Sequence, residues 1–375
     1  MLQTTRPPLI LHVFSSFAVG GVQVRFTSIV NHFGHRWRHA IVAMDGEVSC
    51  RALLDPGLDL TFPAVTIRKG DTIGNVLRFR RVLHRLRPGL LVTSNWGSIE
   101  WSIANLIPVV RQVHIEDGFG PDDRGGRLPR RVRLRRIVLR RRMVVLPSRT
   151  LWGIATGVWR LDPRRLRYVP NGIDLARFAG PAQPAGWPGA GSGDGPVIGT
   201  VAALRPEKNI GRLLRAFALA TSDQPARLTI AGDGPERSTL EALAQQLGIG
   251  RRVQFVGHVA QPASLFKQLD IFAMSSDTEQ MPLSLLEAMA AGLPVAATDV
   301  GDIRSMLAAA NGPYITTLDD AALAAALRTL LQQDGLRRTL GAANRTKAEQ
   351  EFNQATMFQA WAAVFDGTLG PVRPD

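Results

Sequence analysis

Two carboxylates and two cations carry the chemistry legible in this chain. Glu279 and Glu287 bracket Gln280-Met281-Pro282-Leu283-Ser284-Leu285-Leu286, and Arg205 and Lys208 sit in Leu204-Arg205-Pro206-Glu207-Lys208-Asn209. Pro282 suits the first helical position, where its missing N–H has no intrahelical partner. Leu283, Leu286, Met289 and Ala290 recur at helical spacing, Gly292 suits the position just past the helix end, and Pro294 stops continuation. The unpaired amides near Leu283, Ser284 and Leu285 then make a positive helix end suited to an anion. An anion between two carboxylates that accept hydrogen bonds from hydroxyls points to a sugar phosphate or a nucleotide sugar. The competing explanation is an ordinary amphipathic helix with two solvated Glu residues.

Arg205 offers a planar fork and Lys208 a compact charge, a pair suited to a diphosphate, although a solvated basic loop would look the same. Ala231-Gly232-Asp233-Gly234-Pro235 allows close approach of a ligand, and a tight strand-to-helix turn explains it equally. Gly20 and Gly21 open the first strand-to-helix turn, where backbone amides can approach a phosphate. The pattern there is not Gly-x-Gly-x-x-Gly, and no Walker-type loop occurs. His114, in Val113-His114-Ile115-Glu116-Asp117-Gly118, falls at a strand end. Facing a cleft, it would hydrogen-bond a substrate hydroxyl or polarise a leaving group; the alternative is a structural histidine. The remaining His residues lack metal-ligand spacing, so no metal is expected. No nucleophile elbow with a Ser/His/Asp set is present.

These residues need strand ends to hold them. Short apolar runs at 9–14, 39–44, 58–62, 90–94, 109–114, 143–146 and 166–169 alternate with helical patterns, including 22–33, 72–86 and 97–106. A second series runs 197–202, 227–231, 253–256, 271–274, 294–298 and 313–315, with helical patterns at 210–220, 236–247 and 321–331. The fold class is therefore α/β, two Rossmann-like doubly wound domains facing across a cleft, with ligands at the carboxyl ends of the strands. A chain of 375 residues fits two domains. The expected boundaries are 1–174, a Pro/Gly-rich linker at 175–196, 197–351, and a final helix in 352–375. Phe358, Trp361 and Phe365 would dock that helix back on the first domain.

Hydrophobic content of 45% with 20% charged residues is that of a soluble globular protein. No apolar run reaches the roughly 18–20 residues of a membrane span, and no secretory leader is legible, so a cytoplasmic location is expected. The single cysteine, Cys50, excludes an intramolecular disulfide. Net charge is +14, and ten Arg without an acid lie between Arg124 and Arg142. That segment lacks the interleaved aromatics of a nucleic-acid surface, so no nucleic acid is expected as a partner. It reads either as a helix lying on an anionic membrane or as a solvated helix.

Taken together, the motifs resemble the retaining glycosyltransferases of the GT-B fold, family 4 (glycosyl transferases group 1). The matching pieces are Gly20-Gly21-Val22-Gln23, His114, Val169-Pro170-Asn171-Gly172-Ile173-Asp174, Arg205 with Lys208-Asn209, residues 231–235, Val253-Gln254-Phe255-Val256-Gly257, and above all residues 279–295. The resemblance covers nearly the whole chain and is densest in its second half. It implies that Arg205 and Lys208 neutralise a donor diphosphate with the amides of Leu283, Ser284, Leu285 and Gly21. Glu287 would hold ribose hydroxyls, Glu279 the transferred sugar, and the backbone of residues 256–259, ending at Val259, the base. His114 would contact the sugar near the reacting centre. It further implies a UDP- or GDP-linked hexose donor, a glycan or lipid-linked acceptor in surface polysaccharide or glycolipid synthesis, and no metal or other cofactor. Asn95, Trp96, Glu116, Asp117 and residues 118–126 become candidate acceptor contacts by location. Rival readings are a GT-B nucleotide-sugar epimerase, a basic nucleic-acid-binding protein and a catalytically idle scaffold.

Overall fold

The computed structural model describes residues 6–119, 127–180, 195–259 and 261–374. The chain folds as two units, Met1–Pro170 with Met357–Asp375, and Asn171–Thr356. Both are α/β, as the alternation of apolar runs and helical patterns implied.

The first unit has seven parallel strands: β1 (Leu9–Phe14), β2 (Arg38–Ala43), β3 (Leu60–Thr61), β4 (Leu90–Ser94), β5 (Arg111–Ile115), β6 (Met143–Leu146) and β7 (Leu166–Tyr168). Their order is β3-β2-β1-β4-β5-β6-β7, so the direction of winding reverses between β1 and β4. Central strands are buried along their length, as helices on both faces of a parallel sheet require. One face packs Ile10, Val92, Val113 and Val145 against Met357, Phe358, Trp361 and Phe365 of the helix Gln354–Asp366.

The second unit has six strands: β8 (Val197–Val201), β9 (Arg227–Ala231), β10 (Val253–Gly257), β11 (Ile271–Met274), β12 (Val295–Thr298) and β13 (Ile315–Thr316). Their order, β10-β9-β8-β11-β12-β13, reverses between β8 and β11. The helix Ile210–Ala220 buries Leu213, Leu214 and Phe217 against one sheet face. The helix Leu283–Ala290 buries Leu285, Leu286 and Met289 on the other. Each such leucine contributes about 1.5–3 kcal/mol of transfer free energy.

The linker expectation needs correction at its start. Residues 175–178 form a helical turn whose Phe178 packs on Phe266, with ring centroids 6.1 Å apart, so this stretch belongs to the second unit. Residues 181–194 lie outside the described residues. Charge divides sharply: the first unit has 29 Lys and Arg against 13 Asp and Glu, the second 16 against 18. The whole positive excess therefore sits on the first unit.

Candidate active site

In the second unit the loops after β8 and β11 flank the point where winding reverses, which is where open α/β sheets bind ligands. Lys208 comes from the first loop and Glu279 from the second. Lys208 Nζ donates to Glu279 Oε1 at 2.6 Å, and Ser276 Oγ donates to the same oxygen at 2.7 Å. The Lys208 side chain is 24% exposed and that of Glu279 9%. Arg205 is exposed, and among the described residues its side chain makes no hydrogen bond or ion pair.

A set of polar residues that the sequence motifs only partly contained stitches the two loops together. Asn209 sits at φ 43°, in the left-handed region that Asn tolerates. Its Oδ1 accepts from the Arg212 amide at 3.1 Å, capping the helix Ile210–Ala220, while its Nδ2 donates to Asp277 at 3.1 Å. Arg212 donates to Asp277 Oδ1 at 2.7 Å and to the Ser275 carbonyl at 2.8 Å. The Asp277 amide reaches the Glu207 carbonyl at 2.9 Å. Asp277, Arg212 and Ser276 carry no sequence signal of their own. Just past a strand end, a charged side chain looks solvated until the fold supplies its partner.

Pro282 is not the first helical residue. It has an extended conformation, φ −69° and ψ 129°, and caps a helix that starts at Leu283. The free amides are therefore those of Leu283, Ser284 and Leu285, with no side chain capping them. Asn171 Nδ2 donates to the Met281 carbonyl at 2.8 Å and steadies this entry. At the far end Gly292 has φ 73°, as a residue just past a helix end requires. Glu287, on the same helix, is half-buried, and desolvation pushes its carboxyl up to about 7 against the opposing pull of Arg177. Val259 and Leu283 pack against one apolar cluster.

Gly232 and Gly234 have φ 139° and 157°. A Cβ on Gly232 would overlap the Ala202 carbonyl, and one on Gly234 would lie 2.5 Å from that of Leu204. Close approach to the β8 loop thus accounts for both glycines.

In the first unit the strand ends behave differently. Gly20 precedes the helix Gly21–Phe33 in extended conformation, and no side chain caps that helix or places an acid in its first turn. The amides of Gly21, Val22 and Gln23 therefore have no intrahelical acceptors.

His114 does not face solvent. It is fully buried, and Thr93 Oγ1 lies 2.9 Å from its Nδ1. The register explains this, since Thr93 and His114 are direct neighbours on the interior strands β4 and β5. Its Nε2 is 3.5 Å from Glu116 Oε2, which accepts from Arg135 Nε at 3.1 Å.

The Arg-rich segment is not a freely solvated helix either. Within Pro129–Val138, Arg135 is buried, its guanidinium 4.7–5.5 Å from the rings of Trp96, Phe119 and Trp159. Arg142 is also buried, whereas Arg127, Arg130, Arg133 and Ile137 are exposed. Asp117 forms a two-pronged pair with buried Arg25, at 2.7 and 3.0 Å. Glu116 and Asp117 are therefore committed to internal partners. Residues 120–126 of the candidate acceptor loop lie outside the described residues.

Comparisons with known proteins agree with this architecture. The model for glycosyltransferase family 4 matches residues 19–177, and that for glycosyl transferases group 1 matches residues 189–347. The chain is 27% identical to an exopolysaccharide phosphotransferase of Streptomyces coelicolor, over 84% of its own length and 31% of that protein. It is 34% identical to a D-inositol 3-phosphate glycosyltransferase of Geodermatophilus obscurus, over 48% and 44% of the two chains. It thus spans about a third to a half of the length of these curated relatives. In structure it is similar to Anabaena HepE, solved with UDP and glucose, with a TM-score of 0.79 over 96% of this chain and 100% of that one at 20% identity. With two adjoining family models on one chain and the matching two-sheet architecture, the protein belongs to family 4 of the GT-B glycosyltransferases.

Proposed function

We propose that this protein is a retaining hexosyltransferase that uses a UDP- or GDP-linked sugar to extend a glycan or lipid-linked acceptor of surface polysaccharide or glycolipid synthesis. The observation that carries the reading is the Lys208–Glu279 pair beside the uncapped amides of Leu283–Leu285 at the point where winding reverses. It puts positive charge for a diphosphate next to a carboxylate for sugar hydroxyls. Arg205 and Lys208 neutralise the leaving diphosphate, which is the main catalytic contribution when no base is at hand. Glu279 orients the hexose, Glu287 accepts from the ribose, and Val259 lies along the base. In the first unit the Gly21 amide, at an uncapped helix start, is likewise suited to an anion. The acceptor hydroxyl oxygen attacks the anomeric carbon on the face the diphosphate leaves. The anomeric C–O bond breaks, and the proton passes to the leaving phosphate oxygen. His114 is buried in the free protein, with Thr93 Oγ1 2.9 Å from its Nδ1.

The Arg and Lys charges and helix amides supply the stabilisation a metal would otherwise give, so the reading requires no resident metal or cofactor; transfer should persist in excess chelator. UDP-glucose binding by the fold is supported by Anabaena HepE, also solved with UDP-glucose. For the acceptor side, the exposed Arg127, Arg130, Arg133 and Ile137 form a mixed basic and apolar face suited to an anionic bilayer in the cytoplasm. Flotation with anionic liposomes tests that contact.

The deciding experiment incubates the protein with UDP- and GDP-hexoses and follows free nucleoside diphosphate with the sugar product. Transfer with nucleotide release, lost in Lys208→Ala and Glu279→Ala, is the expected result. Interconversion of nucleotide sugars without nucleotide release would instead establish the epimerase.

A further inference from the structure

At the opposite, amino-terminal edge of the first unit's sheet, three adjacent strands begin with arginines. Arg111 opens β5, Arg141 and Arg142 precede β6, and Arg165 precedes β7. The parallel register pairs Val113 with Met143 and Val144 with Leu166. Carried back two residues, the first pairing puts Arg111 beside Arg141; carried back one, the second puts Arg165 beside Met143. Alternation along strands then aims Arg111, Arg141 and Arg165 to one face. These four arginines, with Gln112 and Gly367, line an open pocket enclosing about 900 Å³, part of it open to solvent.

Among the described residues, no carboxylate lines that pocket. Arg111 donates to the carbonyls of Val364 and Phe365, capping the helix Gln354–Asp366, and Arg142 donates to that of Asn105. Both guanidiniums are thus satisfied by neutral acceptors, and burial holds each below its ordinary range. Among the described residues, the side chains of Arg141 and Arg165 make no hydrogen bond or ion pair, and both are exposed. Two acids lie outside the pocket lining: Asp366, which is engaged by Arg36 and by Trp37 Nε1, and Asp162, which pairs with Arg164. Asp366 partly offsets the burial of Arg111 and Asp162 lies within electrostatic reach of Arg165, so positive charge exceeds negative around the pocket without being wholly uncompensated. Arg141 and Arg165 present exposed guanidiniums at this pocket, and paired guanidiniums match the oxygens of a phosphate.

We propose that this pocket is a phosphate-binding site separate from the donor site, taking a phosphate or diphosphate group through Arg141 and Arg165, with Arg111 and Arg142 as the fixed positive floor. The group belongs either to a soluble phosphorylated molecule or to a phospholipid head.

The test uses the full chain carrying Lys208→Ala, which weakens phosphate binding at the donor loops, with and without Arg141→Ser/Arg165→Ser. Pyrophosphate binding is measured by calorimetry, and retention on phosphatidylglycerol vesicles is compared with retention on phosphatidylcholine vesicles. At least tenfold weaker pyrophosphate binding in the Arg variant supports a soluble phosphate ligand. Unchanged pyrophosphate binding with lost phosphatidylglycerol retention supports a lipid head. Arg141→Lys/Arg165→Lys, which keeps charge but not the forks, should bind with intermediate strength and guards against misfolding. Equal behaviour of the parent and the Ser variant in both assays, or binding in neither, overturns the proposal. Nucleotide-sugar turnover by the Ser variant with Lys208 intact should be unchanged, so this result and that for the transfer reaction stand apart.

Discussion

Lys208 Nζ and Glu279 Oε1 are 2.6 Å apart, across two loops that are 71 positions apart in sequence. Each neutralises the other in the free protein, yet the proposed reaction needs Lys208 on phosphate and Glu279 on sugar. Binding the donor must therefore redirect at least one of them. Glu279→Gln frees Lys208, so the nucleoside diphosphate should bind as tightly as to the wild type or a few-fold tighter, while transfer falls by about 100-fold or more, the scale of one lost transition-state contact. Lys208→Ala should weaken the same nucleotide by about 1.5–3 kcal/mol, the range for a hydrogen bond to a charged group. Calorimetry with the nucleotide and a product assay separate the two effects; nucleotide binding lost in Glu279→Gln would contradict the exchange.

Glu287 gives a pH dependence of definite sign. Its carboxyl titrates near 7 in the folded chain against 4.5 for the ordinary group. Between those values the folded state holds a proton that the unfolded state has released, so this group's contribution to stability falls as pH rises from about 4.5 to 7. Below the lower value it contributes nothing, and above the upper one the full penalty applies. Glu287→Gln should therefore be more stable than wild type at pH 8, by up to about 3 kcal/mol at roughly 1.36 kcal/mol per pKa unit, with the gain shrinking towards pH 5. Denaturation midpoints at the two pH values measure it. Donor affinity should rise through pH 7 in the wild type, as the carboxylate forms, and be flat in the variant.

Gly301 holds the backbone of Glu279 in place. It has φ 58°, and a Cβ there would overlap the Glu279 carbonyl oxygen. Gly301→Ala should cost about 1–3 kcal/mol for the strained conformation, and should lower sugar transfer more than nucleotide affinity. Kinetics with wild-type values of both would show that Glu279 tolerates the shift.

Arg135 and Glu116 form a pair buried from all solvent, with exposures of 1% and 0%. Arg135→Leu strands a buried carboxylate and should destabilise the first unit by about 3–5 kcal/mol. The double change Arg135→Leu/Glu116→Leu should recover part of that loss, because it removes the unpaired charge. Equal unfolding midpoints for the single and double variants would mean that the pair is not coupled.

By itself the sequence determined the α/β class, most strand and helix positions, the loops carrying Lys208 and Glu279, and the helix carrying Glu287. Those features are local: alternating apolar runs, a proline before Leu283 and a glycine at 292 act over a few residues. The tertiary structure decided what each charged group faces. The sequence left His114 either facing a cleft or structural, and the register sets it against Thr93 on the neighbouring strand, in the interior of the sheet. In the sequence Arg135 is one of ten arginines in a segment read as either membrane-facing or solvated, but Trp96, Phe119 and Trp159 arrive from separate segments to enclose it. Asp277 and Arg212 came together only because β8 and β11 lie side by side. Burial and pairing depend on contacts between segments far apart along the chain, and local residue patterns do not encode them.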